Sequence, residues 1–170
     1  MKARAIHVNW DDPSSSTLVP TDSLVPEPFN SNACVDQFCI EQPGTPTKLD
    51  SLSYGYMMQR LTYRNFGDHQ MLLLNHTVAA DGDPTQNHAG IRWYELRMGT
   101  TGNTSAPWEI YQQGTYAPDA SSRWLGSIAM DKNGNIALGF HVSGAQMCFL
   151  RSIMQAGDRT ILWARCPLAS

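Results

Sequence analysis

Three polar side chains near the middle of the sequence are of types that carry acid–base chemistry. Asp68 and His69 are adjacent, and His76 follows seven residues after His69. An imidazole titrates near neutral pH and a carboxylate can orient it, so Asp68 and His69 are candidate catalytic residues together with Asp119. Alternatively, Asp68 caps the turn after Gly67 and His69 begins the next strand. Residues seven apart on a strand face opposite sides, which argues against a metal shared by His69 and His76.

Two short acidic runs have residue types found in calcium loops. Asp81 and Asp83 flank a glycine, and they are the candidate metal ligands because carboxylates on a turn can bind Ca²⁺ together with backbone carbonyls. The run lacks the other ligands of a complete calcium loop, so a solvated turn is the alternative. The stretch 131–135 begins like an EF-hand, but its glycine comes too early and no later glutamate closes the loop. Ca²⁺ is therefore the one cofactor that the sequence indicates.

A group of charged and aromatic residues has the chemistry to contact a ligand. Arg92, Glu95 and Arg123 together with Trp93 would line a pocket for an acidic or sugar ligand, since guanidinium groups bind carboxylates and aromatic rings stack on sugars. The alternative is that the charges form cross-strand ion pairs on a solvated face and that the tryptophan packs in the core or between sheets. The sequence contains no Gly-x-Ser-x-Gly elbow, P-loop or dinucleotide fingerprint.

Composition limits the class of protein. The chain has 170 residues, enough for one domain with a real core, and its 16% of charged residues is below the usual quarter. A net charge of -3 provides no basic field for phosphate backbones and disfavours nucleic-acid binding. No apolar run approaches the roughly 20 residues that span a bilayer. Nothing near Met1 resembles a signal peptide, so the export signal of a secreted parent would lie upstream.

The first two cysteines are close enough in sequence to form a small ring. Cys34 and Cys39 lie in a loop-like stretch and are predicted to form a disulfide if the compartment is oxidising. A zinc site is disfavoured, because no second Cys or His pair stands nearby at zinc spacing.

Local patterning divides the chain into segments. Residues 1–56 are predicted to be an extended Pro- and Ser-rich loop with a short strand at 6–10, because six prolines are spread through 11–46. Residues 57–122 are predicted to form a β-meander. Each strand-like run either alternates polar and apolar residues or is apolar on both faces, and each ends at a turn signal. The predicted strands are 59–64, 70–78, 90–97 and 108–114. Four short antiparallel strands joined by close turns are typical of one propeller blade.

A second unit is predicted over residues 123–144. Its strands, 123–131 and 136–142, flank an Asn133–Gly134 pair, which is typical of a type I′ hairpin turn with positive φ at both residues. The predicted fold class is therefore all-β, with antiparallel four-stranded blades of a β-propeller-like protein. The propeller is incomplete, because a ring normally needs about four to eight blades.

Four runs carry a resemblance to a known family. They are 61–69 (LTYRNFGDH), 91–97 (IRWYELR), 112–119 (QQGTYAPD) and 126–131 (GSIAMD). The chain resembles, from about Ile6 to Gly144, a family of large, mostly uncharacterised secreted bacterial proteins that look like sialidase-like β-propellers. The resemblance implies that fold and a parent protein that is secreted or held in the cell envelope, but no established reaction.

After Gly144 the resemblance stops. The family would continue approximately as GANVFPSIHYAGR, and a single nucleotide string read one base later encodes the observed AQMCFLRSIMQA. Residues 145–170 are therefore predicted to be a frame-shifted tail that ends at a premature stop. On this interpretation Cys148 and Cys166 were never selected for a role.

Two function classes follow from these observations. The first is a truncated secreted propeller module that binds a glycan or protein, or has no intact activity. The second is a propeller-type hydrolase, either a Ca²⁺-dependent lactonase or esterase or a glycosidase. In both cases the exposed strand edges predict self-association, unless the tail covers them. The residues available for such a cover are Phe149, Leu150, Ile153, Ile161, Leu162 and Trp163.

Overall fold

The computed structural model describes residues 1–58, 60–99, 107–144 and 153–156. In this part of the chain the protein is all-β, with antiparallel sheets, one of which has four strands. Two 3₁₀ turns, Pro13–Ser15 and Pro84–Gln86, interrupt the strands.

The central sheet is a four-stranded antiparallel meander. Its strands are β5 (Thr62–Asn65), β6 (His69–Ala79), β7 (Ala89–Gly99) and β8 (Glu109–Tyr116), paired in sequence order. These strands confirm the four predicted for 57–122. The long inner strands β6 and β7 are buried along most of their length, as expected for strands whose two faces are both covered.

A second sheet begins with the hairpin of β9 (Ser122–Met130) and β10 (Ile136–Ser143), which confirms the predicted hairpin. The turn type was predicted wrongly: of the Asn133–Gly134 pair only Gly134 has positive φ. The carboxylate of Asp131 accepts hydrogen bonds from the backbone N–H groups of Asn133 and Asn135. This side-chain capping stabilises a longer loop than the two-residue type I′ turn.

The β9–β10 hairpin packs on one face of the central sheet. Side chains from both sheets form a buried core, to which Trp93 and Tyr116 add at its edge. The core residues are Met71, Leu73, Ile91, Ile128, Met130, Ile136, Leu138 and Phe140. Since strand residues alternate between faces, Leu74, His76, Arg92 and Tyr94 lie on the opposite face of the central sheet.

A β-bulge brings the two sheets close together. Leu125 and Gly126 of β9 oppose the single residue Phe140 of β10, and Leu125 has a left-handed φ of 51°. The bulge places Gly126 directly against Asn75 of β6. A Cβ at position 126 would lie 2.2 Å from Asn75 Oδ1 and 3.1 Å from Ile91 Cγ2. Only glycine therefore fits at this contact without a shift of its neighbours.

The N-terminal segment contains more regular structure than predicted. Instead of one strand at 6–10 followed by an extended loop, it forms two hairpins. The first pairs β1 (Lys2–His7) with β2 (Thr17–Ser23), and the second pairs β3 (Phe38–Gln42) with β4 (Thr45–Asp50). In the second hairpin Pro43 does not interrupt a strand, because Pro43 and Gly44, whose φ is 71°, occupy its turn.

Of the tail 145–170 the structure describes only residues 153–156. They form β11 (Ile153–Ala156), which pairs antiparallel with the Ile136–Gly139 half of β10. The prediction of a frame-shifted tail otherwise falls outside the described residues. At this edge the tail supplies a third strand and covers backbone that β10 would otherwise leave unpaired.

Candidate functional site

A segment of the N-terminal region lies across the face of the central sheet opposite the β9–β10 hairpin. We call this segment, residues 26–31, the strap. The backbone N–H of Glu27 donates to Gln113 Oε1 of β8 over 3.1 Å. At the other end, the Ala79 N–H of β6 donates to the Asn30 carbonyl over 3.0 Å. The strap is thereby tied to two strands of the sheet.

Under the strap lies the buried guanidinium group of Arg92. It donates to Gln113 Oε1 over 2.6 Å and to Thr115 Oγ1 over 3.2 Å, and the Glu27 carboxylate is 3.6 Å away. Its carbon Cζ lies 5.9 Å from the centre of the Phe29 ring and 5.4 Å from that of Tyr94. Because the Glu27 side chain is 70% exposed, the cation is balanced mainly by hydrogen-bond acceptors and aromatic rings.

His76 is the second buried titratable group under the strap. Its ring stacks on Tyr94, with Nε2 3.0 Å from the tyrosine hydroxyl, and meets the Phe29 ring edge-on at 5.0 Å. Burial, with a further contribution from the Arg92 cation, lowers the pKa of His76 from 6.5 to about 4. Burial also raises the pKa of Tyr94. Both groups are therefore neutral at physiological pH.

An open hollow of about 430 Å³ adjoins this cluster. It is lined by strap residues and by the turn after β6, namely Pro28, Phe29, Asn30, Ser31 and Gly82. Phe29 is 37% exposed, so one part of its ring faces the hollow while another part covers His76. An aromatic surface beside amide and hydroxyl groups is suited to a ligand with both apolar and hydrogen-bonding faces.

The four predicted ligand-binding residues do not share a pocket. Arg92 lies under the strap, whereas Trp93 and Glu95 project to the opposite face because neighbouring strand residues alternate. Glu95 is fully buried and accepts hydrogen bonds from Arg97 and Gln112, so the Glu95–Arg97 ion pair does not lie on a solvated face. Arg123 lies at the start of β9. Of the four, only Arg92 belongs to the candidate site.

The predicted catalytic residues lie at opposite ends of the central sheet. Asp68 contacts His69 Nδ1 over 2.8 Å at the turn where β6 begins, and the His69 ring stacks on Phe66. Asp119 follows β8, whose end pairs with Ile91 near the other end of β6. His69 is eight residues from Thr77, the partner of Ile91 on β6, and eight strand residues span about 26 Å. Asp119 therefore cannot act on the same substrate atom as Asp68 and His69.

Asp119 forms an ion pair with Arg123. Its two carboxylate oxygens accept hydrogen bonds from Arg123 over 2.9 and 2.8 Å, and the guanidinium group lies over the Tyr116 and Phe140 rings. The hydrogen bonds from Arg123 hold the pKa of Asp119 well below its usual range. This pair joins the end of the central sheet to β9 and β10, which indicates a structural role.

We expect Asp119→Asn to lower the free energy of unfolding by about 1 kcal/mol at pH 7, a modest value because water screens the half-exposed carboxylate. A carboxylate whose pKa is lowered by folding stabilises the folded state above its unfolded-state pKa. The difference in stability between Asp119→Asn and the parent should therefore shrink as the pH falls below about 4. Urea denaturation at pH 7 and pH 3 measures this. Asp36→Asn, at an exposed position, is the control. A difference that is unchanged at pH 3 would contradict the role of the ion pair.

Asp81 and Asp83 have protein partners in the structure. The Asp81 carboxylate is 3.0 Å from His88 Nδ1, and Asp83 caps the 3₁₀ turn by accepting from the Thr85 backbone and hydroxyl. Among the residues that the structure describes, no group of three or more His, Cys, Asp or Glu side chains is placed to hold a metal ion. The arrangement of Asp83 matches the turn that was the alternative to a Ca²⁺ site.

Cys34 and Cys39 form a disulfide, as predicted. Both are buried in a small cluster with Ile40, Ala89 and Trp124, so the disulfide ring packs against β7 and β9. The ring thus attaches the N-terminal segment to both sheets.

Sequence reasoning did not single out Phe29 or Gln113. Phe29 lies in a proline-rich stretch without periodicity, and Gln113 is a neutral residue on an edge strand. One signal was available: on β7, Arg92 and Tyr94 share a face with His76 of β6 once the strands are paired in register. What covers that face depends on the path of the strap.

No protein-family model, curated protein or solved structure matches this chain. In the described part of the chain, no helix has the length and apolar character to cross a membrane.

Proposed function

We propose that this chain is a segment of a larger secreted, propeller-like protein and that it serves as a binding module for glycans. The observation that supports the propeller is the order of the sheets. A four-stranded meander, β5 to β8, is followed directly by the β9–β10 hairpin, which packs on its face. Consecutive blades of a propeller follow one another in this manner.

Export from the cytoplasm is supported by the buried disulfide. Cys34 and Cys39 are joined in a ring that packs against both sheets. Disulfides of this structural kind persist in oxidising compartments and are rare in the cytosol. The disulfide therefore supports a parent protein that lies outside the cytoplasm.

Binding is assigned to the hollow beside the strap. Phe29 offers a partly exposed ring, and Asn30 and Ser31 add amide and hydroxyl groups next to it. Sugars present apolar C–H faces and hydroxyl edges, so they match an aromatic surface bordered by hydrogen-bonding groups. Among the described residues, the acid–base candidates Asp68 and His69 lie at the other end of β6 from this hollow. This separation favours binding over hydrolysis at the hollow.

We expect Phe29→Ala to abolish glycan binding or to weaken it by about tenfold or more. Stacking on one aromatic ring supplies up to a few kcal/mol, and among the described residues no second aromatic ring lines the hollow. Saturation-transfer NMR with a panel of neutral and acidic mono- and disaccharides measures this. Phe38→Ala is the matched control, because Phe38 is an exposed phenylalanine on β3. If no saccharide binds the parent chain, or if both variants bind equally well, the proposal is wrong.

A further inference from the structure

The contacts that hold the strap closed include four of different kinds. Two are hydrogen bonds, from the Glu27 backbone N–H to the Gln113 side chain and from the Ala79 N–H to the Asn30 carbonyl. The third is the ion pair between Glu27 and Arg92, at 3.6 Å. The fourth is the edge of the Phe29 ring against His76, at 5.0 Å. All four join residues 27–30 to the central sheet, so they are lost together if this short segment lifts.

The surroundings of His76 do not accommodate a positive charge. From β7 it faces the Arg92 cation and the Tyr94 hydroxyl, and from the preceding segment it pairs with apolar Met57 through an isolated bridge. From the strap it faces the Phe29 ring, while the strap carboxylate, Glu27, is directed to Arg92. His76 Nδ1 is buried and has no hydrogen-bond partner among the described residues. A proton on this ring would create a second buried cation beside Arg92 without a counter-ion.

We propose that the strap is a pH-operated latch: it covers His76, Arg92 and Tyr94 while the imidazole is neutral, and it lifts when His76 is protonated. Lifting exposes the ring to water, which solvates the charge and separates the Phe29 edge from it. It also releases Glu27 from Arg92 and opens the floor of the hollow. Neutral solution therefore favours the closed strap, and mildly acidic solution shifts the population toward the open one.

The size of the effect follows from linkage. The imidazole pKa is about 4 with the strap closed and returns toward 6.5 when the ring is exposed. The ratio of open to closed molecules then rises by about 30-fold between pH 7.5 and pH 5. The latch itself needs no ligand; only its effect on the hollow depends on the proposed glycan-binding function.

Hydrogen exchange of single amides, followed by NMR on the full chain, tests the latch. The N–H groups of Glu27 and Ala79 report the strap directly because they are the donors of its two hydrogen bonds to the sheet. After correction for intrinsic exchange rates, their protection should fall by about 30-fold from pH 7.5 to pH 5, while amides of the β9–β10 hairpin keep theirs. Equal losses in the hairpin would mean general unfolding and would overturn the proposal. So would unchanged protection of Glu27 and Ala79.

Two variants assign the effect to His76. His76→Gln keeps a polar group near Tyr94 but cannot be charged in this range, so strap protection should no longer depend on pH. His7→Gln, at an exposed position on β1, should behave like the parent. Should His76→Gln not fold, Glu27→Gln provides the same test from the exposed side of the site. Loss of the Arg92 ion pair should move opening to higher pH, and an unshifted profile would overturn the latch.

Discussion

Alanine in place of Gly126 is expected to lower the free energy of unfolding by about 2 kcal/mol. The added Cβ would lie 2.2 Å from Asn75 Oδ1 and 3.1 Å from Ile91 Cγ2, and Asn75 is a buried, short side chain with little room to move. Overpacking of a well-packed interface costs about 1–3 kcal/mol. Chemical denaturation followed by tryptophan fluorescence measures the loss.

Gly139→Ala is the matched control for this prediction. Gly139 lies on the partner strand β10, where the nearest described atom to an added Cβ is the Ser127 carbonyl oxygen at 3.8 Å, an ordinary contact. We expect this variant to be within about 0.5 kcal/mol of the parent. Equal stability of the two variants would show that β9 does not pack on β6 at Gly126, and the proposed succession of blades would lose its main support.

Arg97→Met is expected to lower the free energy of unfolding by about 3 kcal/mol. Arg97 donates to Glu95, whose side chain is fully buried and otherwise bonded only by Gln112 among the described contacts. Removing one partner of a buried ion pair leaves an uncompensated charge, which costs about 3–5 kcal/mol. The Arg97 side chain is 26% exposed, which places the expected value at the lower end.

A second substitution separates the buried charge from lost packing. Arg97 also stacks on Tyr111, with Cζ 3.3 Å from the ring centre, so methionine removes a cation–π contact as well. Adding Glu95→Gln to Arg97→Met should restore part of the stability, because the unpaired charge is then absent. Arg60→Met, at an exposed position, should have little effect. A double variant less stable than Arg97→Met would contradict the explanation.

Strand positions were predictable wherever the pattern of polar and apolar residues indicated a strand and turn signals marked both of its ends. The alternation around Trp93 predicted β7, because a strand with one buried face alternates apolar and polar residues. The apolar run from Met71 to Val78 predicted β6, because a strand covered on both faces is apolar throughout. The N-terminal hairpins were missed, since their prolines suppress the periodic signal. The Pro43–Gly44 turn was the one local signal that could have revealed β3 and β4.

The acid–base and ligand residues could not be grouped from sequence, because grouping depends on which strand ends and faces meet. Asp68 and Asp119 are separated by the length of β6, a distance that spacing in sequence does not report. Arg92 and Trp93 are adjacent in sequence yet lie on opposite faces of the sheet. The disulfide was an available inference, since a loop that turns back within five residues can bring two cysteines within bonding distance.

By itself, the sequence determined the all-β class, the meander of β5 to β8 and the β9–β10 hairpin. Each of these depends on neighbours within a few residues or on a repeating two-residue period, so local physics is sufficient. The tertiary structure alone decided that His76 is buried beside Arg92 and that the strap covers both. Burial and charge proximity are set by segments far apart in the chain: Phe29 reaches His76 across 47 positions, and no local pattern encodes that contact.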